Sequence, residues 1–461
     1  MSYPEKFLVL ILVSILFISP SAACQILEVL PNPYGDDSRE YVKVYCENSC
    51  TLTDFESEFN LSKGVSYIAN NATAFFNYYG FKPDFEGIRL SNRGEEIALL
   101  CEEKQVSFSW EKMFRDEGVV YYFNPDSGWD FRYEDWSSFK PVREFVKGRI
   151  IITPASYIID GSGYVASYTV TRDVFHGNFS FAVDASPAGG IPAEEIALSE
   201  KYRFHFLEGS YRNFHYKYAV LDDDRVTITT ENWKWDNRGV IVEYKGQRSA
   251  KLLRDLFKYD LKFEKEPSSV SNLKEDYREG KGRYIEFEGN VSLYVMPDSN
   301  PIFNFIESSK GFLYITVPYM HFDWFTSRSP LLSAILNASK RGVKIRVMLN
   351  DYERNRKTAE FLNSIPNVSA KLTTSPEFDQ IHGKYMITEG KVLITSANFN
   401  KYGLKLNREL AIVIDGEKVS DFMKGVFESD WERKSEISPA VSLTLLGIAF
   451  LLGFYFLKRF R

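Results

Sequence analysis

Short runs in which apolar and polar residues alternate fill the chain from residue 25 to about 105. Ile26-Leu27-Glu28-Val29-Leu30, Tyr41-Val42-Lys43-Val44-Tyr45 and Glu96-Ile97-Ala98-Leu99-Leu100 are three of them, separated by turn clusters such as Pro31-Asn32-Pro33-Tyr34-Gly35. Period-two alternation between turn signals predicts a small antiparallel β-sandwich over 24–105. The pattern blurs over 106–148, a stretch dense in aromatic and charged residues (Trp110, Trp129, Trp136) that reads as a connector. Beyond it the period changes. Gly311-Phe312-Leu313-Tyr314-Ile315-Thr316-Val317 reads as a strand, 331–340 as an amphipathic helix ended by Arg341-Gly342, and Val343-Lys344-Ile345-Arg346-Val347-Met348-Leu349 as the next strand. Strands alternating with helices imply an α/β layer with crossover connections. Earlier strands at Arg149-Ile150-Ile151-Ile152-Thr153 and Phe179-Ser180-Phe181-Ala182-Val183 open a related half with a shortened helix and a tight loop at Ser186-Pro187-Ala188-Gly189-Gly190. The two halves span 149–265 and 280–433.

Two apolar runs stand outside this pattern. Residues 7–18 follow Lys6 and precede Ser21-Ala22-Ala23, which reads as a secretory leader over 1–23. Residues 440–457 carry no charge and are followed at once by Lys458, Arg459 and Arg461. Eighteen helical residues reach about 27 Å, close to the hydrocarbon thickness of about 30 Å, so a single transmembrane helix is expected over 438–457. The basic cluster puts its C-terminal end in the cytoplasm and the bulk of the chain outside the cell, anchored in the cell membrane.

Composition agrees with export. All four cysteines, Cys24, Cys46, Cys50 and Cys101, lie in the N-terminal quarter. Up to two disulfides in any of three pairings are expected; a zinc site fits poorly, with no Cys-x2-Cys pair and no nearby histidine. Cys24 falls just after the cleavage point, where a lipid-modified N-terminal cysteine is the alternative fate. Six Asn-x-Ser/Thr triplets, opening at Asn60, Asn71, Asn178, Asn290, Asn337 and Asn367, are candidate glycosylation sites. The formal net charge of −6 excludes a broad basic footprint for nucleic acid but not a local basic cleft.

One short pattern occurs twice. His215-Tyr216-Lys217, Asp222 and Thr230-Glu231-Asn232 form one copy, and His382-Gly383-Lys384, Glu389 and Ser396-Ala397-Asn398 the other. The chain has five histidines, and two of them head these copies. Residues two apart on a strand face the same side, so each His and Lys pair points together, as does each hydroxyl and Asn pair on a returning strand. Two such sets suit one phosphate held between two halves. The lysines supply charge and the amides and hydroxyls donate hydrogen bonds; charge-assisted bonds of this kind contribute about 1.5–3 kcal/mol each. One histidine can attack phosphorus while the other protonates the leaving oxygen. No metal or other cofactor is called for if Lys217 and Lys384 neutralise the phosphate oxygens.

At these residues the chain resembles the phospholipase D superfamily, whose signature is His-x-Lys-x4-Asp followed by a Gly/Ser-Ser-x-Asn stretch. The resemblance runs from about 150 to 433 and includes the closing Asp430-Trp431 pair. It implies two α/β halves about a pseudo-twofold axis, an active site at their interface complete in a monomer, and a covalent phosphohistidine intermediate formed without metal. Carried over by position, His215 and His382 are the catalytic pair, with His215 as nucleophile and His382 as acid. Lys217, Lys384, Asn232 and Asn398 are phosphate ligands, supported by Thr230 and Ser396, with Asp222, Glu389 and Glu409 behind them. The N-terminal region resembles the lamin-tail domain at Glu28-Val29-Leu30-Pro31-Asn32-Pro33, Tyr41-Val42-Lys43-Val44 and Leu90-Ser91-Asn92-Arg93-Gly94-Glu95-Glu96-Ile97. That resemblance implies a binding or spacing module, and its partner is not legible.

The chain departs from the superfamily pattern at three places. Glu389 stands where Asp is usual and Thr230 where Ser is usual. Asn407-Arg408-Glu409 matches an Asn-x-Glu element that orients a catalytic histidine, whereas the first half reads Asn237-Arg238-Gly239. Unequal support for the two histidines is therefore expected. The leading function is a surface-anchored phosphodiesterase with phospholipid favoured as substrate. The alternatives are an extracellular nuclease and a non-catalytic surface binding protein on the same scaffold.

Overall fold

The computed structural model describes residues 24–432 apart from 103, 112–116, 126–127, 223, 272–279, 326–328, 374–376 and 379. The leader read at 1–23 and the membrane span read at 438–457 lie outside the described residues. Among the described residues no helix is long and apolar enough to cross a membrane. The chain divides into two units at 136/137.

The N-terminal unit contains two sheets. Six strands pair in the order Gly128–Tyr133, Val119–Asn124, Cys24–Leu30, Tyr41–Cys46, Gly64–Ala69 and Phe85–Glu86. Four more run Glu58–Leu61, Cys50–Thr53, Gly94–Cys101 and Lys104–Glu111. Ile26, Val29, Val42, Val44, Leu52, Ile68, Ile97, Leu99 and Trp110 meet in one core, as the alternation requires. Residues 106–148 are not a connector: one strand of this unit ends within them, two more lie within them, and the first strand of the next unit begins there. Their aromatic density has a packing reason, since Phe108 stacks on Trp129 with ring centroids 3.7 Å apart. One disulfide, Cys50–Cys101, joins facing residues of neighbouring strands. Cys24 and Cys46 face each other across the other sheet as buried thiols.

The second unit is built on one fourteen-stranded sheet. Its first half runs, from the outside inward, Arg203–Leu207, Phe175–Asp184, Ile159–Ser167, Tyr218–Leu221, Arg225–Thr229, Val240–Lys245 and Val142–Ile152. The second half continues from the centre outward as Arg283–Met296, Glu409–Asp415, Lys391–Thr395, Tyr385–Thr388, Phe312–Thr316, Lys344–Asn350 and Val368–Thr373. Numbered within each half in chain order, the first reads 4-3-2-5-6-7-1 and the second 1-7-6-5-2-3-4. A palindromic order of this kind is the signature of a twofold repeat. The halves meet where Val142–Ile152 pairs antiparallel with Arg283–Met296 from Val142↔Leu293 to Ile152↔Arg283. The outer three strands of each half are parallel to one another and the rest antiparallel.

Each half closes with a helix after its last hairpin strand, Gln247–Asp260 in the first and Glu417–Glu432 in the second. In the second half Pro330–Lys340 and Glu353–Asn363 return the chain between parallel strands, the former capped by Ser329, whose Oγ accepts from Leu332 N at 3.4 Å. The first half lacks the first of these helices altogether. Ile159 pairs with Phe175, so eight peptide steps after Ser167 must carry the chain back along a nine-residue strand. That distance is about 26 Å, and eight steps reach it only when nearly extended.

Candidate functional site

The two repeated motifs lie on equivalent hairpins. Tyr218–Leu221 pairs with Arg225–Thr229, and Tyr385–Thr388 with Lys391–Thr395. His215 to Lys217 and His382 to Lys384 form the extended lead-in to each hairpin, continued by Thr229 N donating to Lys217 O (3.0 Å) and Thr395 N to Lys384 O (2.9 Å). Each lead-in is stitched to the other half. His215 N donates to Arg408 O at 2.8 Å and Arg408 N to Asn213 O at 2.8 Å. On the other side His382 N and Gly383 N both donate to Arg238 O, at 3.0 and 2.7 Å, and Arg238 N donates to Gln380 O at 2.9 Å. Each motif is thus placed by the Asn-Arg segment of the opposite half.

The arginine side chains lock the same seam. Arg408, fully buried, forms ion pairs with Asp260 (2.8 Å) and Asp298 (3.2 Å) and lies 4.1 Å over the Tyr211 ring. Arg238 pairs with buried Asp430 at 3.0 Å, donates to Thr153 O at 3.0 Å and lies over Phe378. Asp260 and Asp430 lie in the last turns of the two equivalent helices, so each closing helix holds the arginine of the other half.

Next to Arg408, Glu409 reaches His215: its carboxylate lies 2.8 Å from Nδ1. Ser396 Oγ donates to the same carboxylate at 2.5 Å and Asn407 Nδ2 at 3.0 Å. The twofold would place the counterpart of Glu409 at position 239, which is glycine. A carboxylate is nevertheless present. Glu231 Oε1 lies 3.5 Å from His382 Nδ1, and Glu231 accepts from Asn237 Nδ2 at 2.9 Å and from Thr230 Oγ1 at 3.5 Å. A Cβ built on Gly239 would sit 1.9 Å from Glu231 Oε1. Glu231 therefore occupies the volume that a side chain at 239 would fill, with the same asparagine and hydroxyl neighbours as Glu409. The support is unequal, as expected, but not for want of an acid: both histidines face a buried carboxylate, yet Glu409 lies 2.8 Å from His215 Nδ1, whereas Glu231 stands 3.5 Å from His382 Nδ1, which has no hydrogen-bond partner among the described residues.

Burial sets the charges. It would push both carboxylates up, but His382, Asn237 and Lys384 hold Glu231 below the usual range, and His215, Lys217 and Ser396 do so for Glu409. Burial pulls His215 down to about 4 against the raising effect of Glu409, and pulls His382 down as well, with Lys384 adding to it. The resting site thus sets ionised carboxylates beside neutral imidazoles, and a neutral His215 with its proton on Nδ1 donates to Glu409. Lys217 and Lys384 are fully buried and lowered by burial to about 7 and about 8. Their ammonium groups donate to the histidine carbonyls, Lys217 to His215 O at 2.7 Å and Lys384 to His382 O at 2.9 Å and to Thr230 O at 3.4 Å. Tyr168 covers one side of His215, with ring centroids 4.7 Å apart.

The structure gathers His215, His382, Lys217, Lys384, Thr230, Ser396 and Glu409, with Asn232 and Asn398 on the same returning segments. The amide oxygens of Asn232 and Asn398 are buried with no hydrogen-bond partner among the described residues. These unpartnered atoms are acceptors, so a phosphate oxygen would be met by the Nδ2 groups of the same amides. The Thr230 and Ser396 hydroxyls are already engaged: each accepts from a backbone N–H of the next strand (Val240 and Leu410, both 3.0 Å) and is turned toward a carboxylate, so they support the site without binding phosphate. Asp222 and Glu389 stand outside it, at hairpin turns roughly 17 Å along the strand from the lysines. Glu389 accepts from Gly311 N and Phe312 N, both at 2.9 Å, and Asp222 from Ser162 N at 3.4 Å. Sequence reasoning missed Glu231. The available signal was an acid at the variable position of Thr-x-Asn in the half whose Asn-Arg segment ends in glycine. Among the described residues Cys24, Cys50 and Cys101 have metal-ligand spacing, but two of these are joined as a disulfide.

No curated protein matches the sequence significantly. Among solved structures the chain matches NucT from Helicobacter pylori, at 22% identity with a TM-score of 0.27, covering 31% of this chain and 95% of that one. Phosphatidylserine synthase from Haemophilus influenzae Rd KW20 matches at 13% identity and a TM-score of 0.43, over 60% of this chain and 82% of its own. Nuc, a phospholipase D family member from Salmonella typhimurium, matches at 18% identity and a TM-score of 0.27, over 31% and 93%. Residues 302–431 match the family described as cardiolipin synthase, PLD-like domain. The second half therefore carries a phospholipase D-like domain, and the palindromic strand order relates the first half to it.

Proposed function

We propose that this chain is a metal-independent phosphodiesterase of the phospholipase D type, working through a phosphohistidine. The observation that carries the reading is a buried His215 and a half-buried His382 from opposite halves, each facing a buried carboxylate on its Nδ1 side, flanked by two buried lysines. Two ionised carboxylates and two protonated lysines balance. A bound phosphodiester monoanion adds one negative charge, which favours uptake of one proton, and His382 is the group to take it.

The reaction then runs in two displacements. His215 Nε2 attacks phosphorus, the bond to the leaving alkoxide breaks, and the His382 imidazolium gives that oxygen its proton. Water, or a second alcohol, next attacks the phosphohistidine while His382 takes its proton; the N–P bond breaks, His215 returns to the neutral imidazole and His382 to the imidazolium, and the proton taken up with the substrate is lost again when the phosphate product leaves. Lys217, Lys384, Asn232 and Asn398 hold the phosphate oxygens throughout. Glu409, tight against Nδ1 of His215, makes its Nε2 the better nucleophile, which supports the assignment of His215 as attacker.

Phospholipid is the favoured substrate, because a chain tethered at 438–457 works within reach of headgroups. The sandwich, with its lamin-tail resemblance, serves in this reading as a binding or spacing module outside the cell. External DNA is the second substrate to test. Residues 25–436 are to be assayed against bis(p-nitrophenyl) phosphate, phosphatidylcholine vesicles and single-stranded DNA, with and without EDTA. Activity should survive EDTA and fall at least about 10²–10⁴-fold in both His215→Ala and His382→Ala. A phosphorylated protein should accumulate in His382→Asn and not in His215→Asn. Activity unchanged in either alanine variant would sink the two-histidine mechanism.

A further inference from the structure

The carboxylate at His382 reaches it by a different route from the one at His215. In the second half the acid follows the conserved-in-space arginine: Arg408 is stitched to the opposite motif through its backbone, and Glu409 extends from the next position to the opposite histidine. In the first half Arg238 makes the same backbone stitches, and Gly239 follows it with no side chain. Glu231 comes instead from the adjacent strand end, between Thr230 and Asn232, where the second half has Ala397.

The fit is reciprocal. Glu231 carbons and oxygens fill the space over Gly239, with Cδ at 2.6 Å and Cγ at 2.9 Å from the position of a Cβ there. Asn237 donates to Glu231 as Asn407 donates to Glu409 (2.9 and 3.0 Å). Ala397, by contrast, leaves room for Glu409 to come from its own strand. Position 231 is acidic where 239 is bare, and position 397 is bare where 409 is acidic. Two positions per half thus hold one carboxylate between them, by opposite choices.

We infer that Glu231 is a positioning residue for His382, supplying from the neighbouring strand the carboxylate that the twofold assigns to position 239. This rests on the proposed two-histidine mechanism for its effect on rate, but the geometry stands apart from it. Glu231 fixes the Nδ1–H tautomer of His382 and presents Nε2 to the leaving oxygen. A non-ionisable neighbour at that place leaves the imidazole free to take the other tautomer. The charges facing His382 are Lys384 beside it and Lys217 and Glu231 from the first half; Glu231 alone among these favours its protonated form.

The decisive experiment moves the acid back. Four proteins are compared: wild type, E231A, G239E and the double variant E231A/G239E, which copies the second half's arrangement of Ala397 and Glu409. Histidine-selective ¹⁵N NMR, with the His382 signal assigned by its loss in His382→Asn, reads the tautomer without any need for activity. The expected result is an Nδ1–H imidazole in the wild type, a mixture richer in Nε2–H in E231A, and Nδ1–H again in the double variant. G239E alone should melt below wild type because its side chain collides with Glu231, and the double variant should recover. E231Q keeps the volume should E231A fail to fold; its His382 should titrate about one to two units lower than wild type, the loss of a facing negative charge. On bis(p-nitrophenyl) phosphate, kcat should fall about 10²-fold in E231Q with KM little changed, and the double variant should regain most of it. An unchanged His382 tautomer in E231A together with an unchanged titration in E231Q overturns the assignment, whatever the activity. Absence of activity in the wild type with the NMR pattern intact overturns the proposed function and leaves the positioning role standing.

Discussion

In the second half of the large sheet, two helices carry the chain back between parallel strands; in the first half the equivalent first return is an extended segment, residues 168–174, with no helix in it. The cores differ accordingly. Leu331, Ile335, Ile345, Val347 and Leu362 pack between helices and sheet in the second half. Phe175, Phe179, Phe181, Tyr202, Trp233 and Trp235 cover the corresponding sheet face in the first. Large rings do there what a helix does elsewhere: they bury a strand face that would otherwise meet water. The antiparallel hairpins, the central strands and the cross-half stitches are nevertheless the same in both halves. The comparison shows which parts the site depends on. Outer crossovers can be rebuilt, while the seam that sets each motif against the opposite Asn-Arg segment is kept.

The largest test of that idea falls on the seam. Arg408 lies between Asp260 and Asp298, while Arg238 meets Asp430 and, more distantly at 3.7 Å, the exposed Glu377. Removing one partner of a buried ion pair leaves the other charge stranded, at a cost of about 3–5 kcal/mol. Arg408→Ala strands two buried carboxylates and should sit at the upper end of that range by urea denaturation; Arg238→Ala strands one and should sit lower. Equal losses would mean that the twofold, and not the number of buried acids, governs the seam.

A second test separates the lysines. Sulfate keeps a constant charge across the neutral range, so any change in its affinity reports the protein. Lys217 is lowered to about 7 and Lys384 to about 8. Both are charged below pH 7, and binding an anion must restore each proton lost above that. Affinity should therefore fall as pH rises, first as Lys217 loses its proton and then Lys384, by about tenfold per unit for each lysine deprotonated. Calorimetry in buffers of different ionisation enthalpy counts the protons taken up. Lys217→Met should flatten the fall between pH 7 and 8 more than Lys384→Met does. The reverse order would assign the lower pKa to the second half.

How much of this was legible depended on whether a local pattern carried it. The doubled His-x-Lys and hydroxyl-x-Asn pairs pointed to one shared site because strand periodicity alone brings residues two apart to one face. Glu409 was legible through Asn407-Arg408-Glu409. Glu231 was not, because its meaning comes from an empty position eight residues away that only the fold places beneath it. Strands within 106–148 were missed for a similar reason: aromatic residues there pack across the sandwich, and dense Trp and Tyr hide the alternation that the burial of Val119, Val120, Phe131 and Tyr133 reveals. The missing helix of the first half was read only as shortened, since a sequence pattern does not count the seven residues 168–174 against the strand they must retrace.

The smallest effects should come from the motif acids, Asp222 and Glu389, and they sharpen the comparison most closely. Both stand at hairpin turns against the equivalent strand of their half, Asp222 at Ser162 within Ile159–Ser167 and Glu389 at the start of Phe312–Thr316. Glu389 accepts two backbone N–H groups at 2.9 Å and the Thr388 hydroxyl at 2.6 Å, and despite partial burial these hold its carboxyl below the usual range. That contribution is present above the ordinary carboxylate pKa and is lost as pH falls through the lowered one. Asp222 makes one longer bond, to Ser162 N at 3.4 Å, and pairs with Arg225 at 3.2 Å. Glu389→Gln should therefore cost about 1 kcal/mol in thermal or urea unfolding, and Asp222→Asn a few tenths. Neither should alter kcat on bis(p-nitrophenyl) phosphate by more than about twofold, because a strand's length separates each acid from the lysines. A tenfold loss of kcat in Glu389→Gln with the fold intact would show that the acid of the motif acts on the site and does more than cap a strand.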